Sequence, residues 1–298
     1  MQVDRRDFLK AAAAAAAVSP WLARGAVSGA GQGPEVVVVH GKDVGKMVAA
    51  GMARVGGWKS LVKPGSKVTL KPNAAWVSRP EQGGNTDPGL VAECVSACKK
   101  AGASSVVVPE KTCSNYRKSF EMSGIEAAVT GAGGTMYSPE DGKHFRAVSI
   151  PRGKELKTAD AVVDVLDTDC LINIPVAKSH SGATLTLSMK NWMGSVKDRG
   201  AWHRKGLHQC IADFSTLVKP SLVIVDATRI MLTKGPRGPG EMAYPGELIF
   251  GRDPVAVDAY AAGLFKKQPF DIGYIRIAHE MNVGCGDLEK ISVIRLEA

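Results

Sequence analysis

The chain has no C-x-x-C pair and no ferredoxin-type run; its six cysteines, Cys94, Cys98, Cys113, Cys170, Cys210 and Cys285, are scattered. The signature of a cysteine-ligated iron–sulfur cluster is therefore missing, and none is expected within this chain. Cys94 and Cys98 stand four apart on one face of a predicted helix. They could share a metal, but packing is the better reading, because a free cysteine behaves as a small hydrophobe. Aromatics are sparse, at 6%. No aromatic stripe, arginine-rich arm or nucleic-acid-binding motif accompanies them, which argues against nucleic acid as a partner. No apolar run approaches the roughly 20 residues of a membrane helix, so no transmembrane span is expected in the mature chain. There is no internal repeat.

What is present begins at the N-terminus. "DRRDFLKAAAAAAAVSPWLARGAVSGAG" sets paired arginines before Phe8-Leu9-Lys10, a short alanine-rich segment and small residues suited to cleavage, for instance after Ala30. This reads as a twin-arginine (Tat) signal peptide over residues 1–30, addressing the chain to the periplasm or another exported location. The formal charge is +9; Arg5, Arg6, Lys10 and Arg24 against Asp4 and Asp7 account for +2 of it, so +7 remains after removal. That surplus attracts anions. Export permits disulfides, but the cysteine spacings select no pairing.

From residue 31 to 298 short β-branched runs alternate with helical patterns, as expected of a single α/β domain built on a mainly parallel, doubly wound sheet flanked by helices. "EVVVVHGK", "SKVTLKPN", "SSVVVPEKT", "CLINIPVAK", "SLVIVDAT" and "KISVIRLE" read as strands. "DVGKMVAAGMARVGGW" reads as a helix capped by Asp43, and "TDPGLVAECVSACKKAG" as one capped by Thr86 or Asp87, with Pro88 in the first turn. Residues 131–165 have weaker periodicity and suggest a small inserted β-rich segment. "TKGPRGPGEMAYPG" is a Gly/Pro-rich loop.

Several apolar runs lead into ionisable or polar residues: His40, Lys71-Pro72-Asn73, Glu110-Lys111, Lys178-Ser179-His180 and Asp226. In an open α/β sheet, ligands bind outside the carboxyl ends of the strands. Residues 178–208 also carry six Lys/Arg (Lys178, Lys190, Lys197, Arg199, Arg204, Lys205) against Asp198 alone. Lysines held together repel one another, and a bound anion relieves that repulsion. In "GATLTLSMKNWMG", Thr184, Thr186, Ser188 and Lys190 alternate with apolar residues, which predicts a half-buried strand with Lys190 on the hydroxyl face. Asn191 and Gly194 suggest a tight turn offering backbone N–H groups. His180, His208 and Asp226 have the chemical types of a divalent-metal site. Asp253, before Pro254, reads as a helix N-cap, and Asp258 as either a site residue or a solvated helix position.

"KPN", "NIPVAKSH" followed by "LSMKNWMG", "IADF", "KPSLVIVDAT", "GPRGPG" and "GRDPVAVDAYAAG" occur in order across residues 35 to 290. Together they resemble the domain of unknown function 362 family. Many relatives add a ferredoxin-like module with two cysteine-ligated clusters, which these residues lack; an exported redox partner is the corresponding alternative to a bound cofactor. Carried over position by position, the resemblance implies Lys71, Asn73, Lys178, Lys190 and Asn191 as ligand-binding residues for a carboxylate or phosphate. His180, His208 and Lys178 are the candidate catalytic groups, and His180, His208, Asp226 and Asp258 the candidate metal ligands. Enzyme, carrier and non-catalytic accessory subunit all remain open from the sequence.

Overall fold

The computed structural model describes residues 33–298; the signal segment 1–30 and its cleavage point lie outside them. Among the described residues no helix is long and apolar enough to cross a membrane. The first strand, β1 (Glu35–His40), shows how the fold is organised. Val36 and Val38 enter one apolar core while Val37 and Val39 enter another. Both faces of a strand with four consecutive valines are covered, as period-2 geometry requires of a sheet buried on both sides.

Twelve further strands follow: β2 (Lys67–Pro72), β3 (Ser105–Pro109), β4 (Thr135–Tyr137), β5 (Phe145–Ser149), β6 (Thr158–Val162), β7 (Cys170–Ile174), β8 (Val176–His180), β9 (Thr184–Thr186), β10 (Leu222–Met231), β11 (Met242–Ala243), β12 (Glu247–Gly251) and β13 (Ser292–Glu297). The main sheet runs β13-β1-β12-β10-β7-β2-β3-β4. Its ladders are parallel except where β12 runs against both β1 and β10. No helix separates β10 from β12, and an antiparallel return needs no crossover. β5 and β6 form a separate antiparallel pair within residues 131–165. The helices Val44–Arg54 and Pro88–Lys100 cover one face of the sheet; Leu207–Ser215, Pro254–Ala262 and Gly273–Glu280 cover the other.

The caps are local and readable. Asp43 accepts from Lys46 N, Asp87 from Gly89 N and Leu90 N, and Asp253 from Val255 N and Ala256 N. Asp87, not Thr86, is thus the cap of the second helix. Thr86 is buried and bridges strand ends instead: its hydroxyl donates to Ile174 O at 2.7 Å and accepts from Asn73 N at 2.8 Å.

Pro175 interrupts "LINIPVAK", having no N–H to give a ladder. Before it, β7 pairs with β2 up to Pro72↔Ile174. Beyond it, β8 stays with β10 and turns its other edge to β9. β2 and β8 therefore part company, and the loop after β2 fills the opening between them. This fork lies at the carboxyl ends of β2, β3 and β7.

Candidate functional site

Three asparagines line the fork in a directed chain. Asn173 donates its amide to Ser188 O at 2.8 Å. Asn191 donates to Asn173 Oδ1 and to Lys71 O, both at 2.9 Å, and Asn73 donates to Asn191 Oδ1 at 3.1 Å. Asn73 Oδ1 then accepts from Lys178 Nζ at 3.1 Å; the same ammonium also donates to Gly84 O. All four side chains are buried. With every amide committed, the network has one arrangement, and it ends on a lysine.

Lys178 is completely buried, and burial, followed by the like charge of Lys190, lowers its pKa to about 7. Lys190 is 8% exposed, and burial lowers it to about 8. Among the described residues its ammonium has neither a hydrogen-bond nor an ion-pair partner. Lys71 differs. It donates to Glu110 Oε2 at 2.8 Å and to Pro72 O at 2.7 Å, both partners of the ion pair being buried. The lysine expected to meet a ligand is neutralised by the chain's own carboxylate, which also accepts from Ala74 N at 3.0 Å. Lys178 and Lys190 are the uncompensated charges.

Lys190 reaches the site by a route other than the expected one. The strand stops at Thr186, and Ser188–Asn191 is a helical turn followed by a second turn, Trp192–Ser195. Asp258 sets this up from the helix Pro254–Ala262: its two oxygens accept from Ser188 N at 2.8 Å and Met189 N at 3.0 Å. A carboxylate distant in sequence satisfies the first donors of the turn, overriding the alternating pattern. Asp258 is fully buried, not a solvated helix position, and burial pushes it up to about 7. The second turn presses Gly194 onto the ion pair. A Cβ there would lie 2.1 Å from Glu110 Oε1 and 2.8 Å from Lys71 Nζ. Gly194→Ala is expected to cost roughly 1–3 kcal/mol by overpacking, read as a lower midpoint in urea unfolding.

The expected metal ligands are not brought together. Asp226 accepts from Asp87 N at 2.8 Å and from Thr228 Oγ1 at 2.6 Å, and Asp258 is spent on the turn. His208 Nδ1 accepts from Tyr274 N at 3.1 Å while its ring stacks on Tyr274, so it caps the helix Gly273–Glu280. Among the described residues no group of three or more His, Cys, Asp or Glu is placed to hold a metal ion.

His180 stays near the lysines. Its Nδ1 accepts from Gly182 N and Ala183 N, both at 3.0 Å, which leaves the proton on Nε2. Burial, then Lys190 and Lys178, drops its pKa to about 3. A ring held neutral in this way offers a hydrogen-bond donor and is a poor general base.

Five residues outside the sequence-based set complete the surroundings: Glu110, Asn173, Cys113, Arg199 and His203. Arg199 donates to Lys111 O at 2.9 Å, to Thr112 O, and to Cys113 Sγ at 3.1 Å. Partial burial, then the charges of Lys190 and Arg199, lower the pKa of His203. His40 lies elsewhere, exposed on β1 and bonded to Glu297 at 2.8 Å. A cavity of about 710 Å³ opens at the opposite end of the sheet between Glu35, Arg54, Lys219 and Arg252. It holds none of the buried lysines.

The family pattern described as domain of unknown function (DUF362) matches residues 68–263, and the Tat signal pattern matches residues 2–19. The chain is thus addressed to export by the twin-arginine pathway. A thylakoid-associated protein of Synechocystis sp. is 24% identical over 233 residues, covering 73% of this chain and 68% of that protein. Among solved structures, a Thermotoga maritima protein aligns at a TM-score of 0.46 and 10% identity over 75% of this chain. The lactate racemase apoprotein of Thermoanaerobacterium thermosaccharolyticum aligns at 0.42 and 10% over 72%. The alignments span 59% and 54% of those two chains. The matched residues 68–263 contain all of β2 but its first residue, the asparagine chain, both uncompensated lysines and Asp258, and on that match the chain belongs to the domain of unknown function 362 family.

Proposed function

We propose that this exported protein binds a small anion, a carboxylate- or phosphate-bearing molecule, between Lys178 and Lys190. One observation carries the reading: Lys190 is buried without a partner beside a second buried lysine. Holding a cation without a partner largely out of water is costly, and the second buried ammonium beside it, hydrogen-bonded but without a counter-charge, adds repulsion. An anion entering the fork supplies the missing counter-charge. Asn73 holds Lys178 and is itself held by Asn191, and the Nε2–H of His180 donates to the ligand, which fixes its orientation.

The experiment is calorimetric titration of the mature protein with a panel of small carboxylates and phosphates, repeated on Lys178→Ala and Lys190→Gln. Losing one partner of a desolvated charge contact typically costs 2–5 kcal/mol, so a loss of roughly 30-fold or more is expected, with the far-ultraviolet circular dichroism unchanged. Affinity unaltered in both variants would reject the site. If no panel member binds, the accessory-subunit alternative gains, and co-purification of exported partners becomes the next measurement.

A further inference from the structure

Cys113 is the exposed cysteine of this protein; Cys94, Cys98, Cys170 and Cys210 are buried, and Cys285 is partly buried with its thiol near Asp287 O. Its segment is tied to the site at three points. Ala74 N donates to Glu110, Lys111 N donates to Gly194 O at 2.8 Å, and Cys113 N donates to Ala75 O at 2.9 Å. The thiol is thus held against the loop after β2 and the turn that follows Lys190. Arg199 directs one guanidinium nitrogen at Sγ and anchors the other on Thr112 O. Lys178 and Lys190 are close enough to feel the sulfur's charge. An exposed thiol held by Arg199, beside a buried ammonium with no partner, is placed to meet negatively charged reagents.

We propose that Cys113 is a modification site that exchanges with anionic disulfides, forming a mixed disulfide whose negative group lies over Lys190. The Sγ thiolate attacks one sulfur of the disulfide, a new S–S bond forms, and the other half leaves as its thiolate. The thiol proton passes to solvent, and no oxidant beyond the disulfide is consumed. The reagent class is a low-molecular-weight disulfide carrying carboxylates, the kind that persists in an oxidising exported compartment. Once formed, the adduct occupies the site proposed above, so modification blocks anion binding.

The test uses the mature protein and two probes, dianionic 5,5′-dithiobis(2-nitrobenzoate) and uncharged 4,4′-dithiodipyridine. A cationic site raises encounter rates with anions by roughly 10- to 1000-fold. The anionic-to-neutral rate ratio should therefore exceed that of a free cysteine peptide at least tenfold at low salt. It should collapse in high salt and in Lys190→Gln, and Cys113→Ser should abolish the fast reaction. A ratio equal to the peptide's, a fast thiol other than Cys113, or no reaction with either probe overturns the proposal. The inference rests on the anion site, and calorimetry on Cys113→Ser separates the two. Anion binding retained there without charge-selective reaction in the wild type sinks only this inference. Absent binding with selective reaction sinks only the small-ligand reading.

Discussion

Glu110→Gln is expected to destabilise the protein by about 3–5 kcal/mol, the cost of leaving a buried charge without its partner. The substitution keeps the shape of the side chain and one acceptor oxygen. It removes the negative charge that faces the Lys71 ammonium at 2.8 Å, where neither group meets solvent. Lys71 cannot turn outward, because Pro72 O and the packed Gly194 hold it in place. Urea unfolding followed by circular dichroism measures the effect. The double variant Lys71→Met, Glu110→Gln decides its cause. If the unpaired ammonium is responsible, removing it restores most of the loss. If the double variant is no better than the single, the cost lies in the bond from Ala74 N to Oε2.

Glu110 also shows where reading the sequence stops. A carboxylate after "VVVP" is one of many polar strand ends, and its pairing with Lys71, 39 residues away, depends on β2 and β3 being neighbours. Unbroken β-branched runs such as Val36–Val39 make the strands legible, because a sheet buried on both faces calls for a continuous apolar run. The N-caps Asp43 and Asp253, and Asp87 as one of two candidates, are legible because a cap and its helix lie within three residues of each other. The turn Ser188–Asn191 is not: its donors are satisfied by Asp258, some seventy residues on, and "TLTLSMK" by itself alternates like a strand. The lysines stand out in the sequence as charges set in apolar runs, but which of them is neutralised is not legible there. Cys113, in a loop, and Arg199, 86 positions on at the start of the helix Arg199–Lys205, meet only once the chain is folded.

The same distinction gives the second large effect: the affinity for a small carboxylate is expected to fall roughly a hundred- to a thousandfold between pH 6.5 and 9. In the ligand-free site Lys178 titrates at about 7 and Lys190 at about 8. A bound carboxylate favours both ammoniums and raises both pKa values, so the complex holds more protons than the free protein. Binding is therefore strongest below pH 7 and weakens as the pH rises through 7 and then 8. Near pH 7.5 about one proton is taken up per ligand bound, seen as a dependence of the calorimetric enthalpy on the buffer's ionisation enthalpy. His180, at about 3, stays neutral throughout and contributes no step. Lys190→Gln should remove the upper step. Because Lys190 is the second cause of the lowered value of Lys178, the variant should also move the remaining step to higher pH. A pH-independent affinity with no proton uptake would mean that the anion sits away from these lysines, whatever its strength of binding.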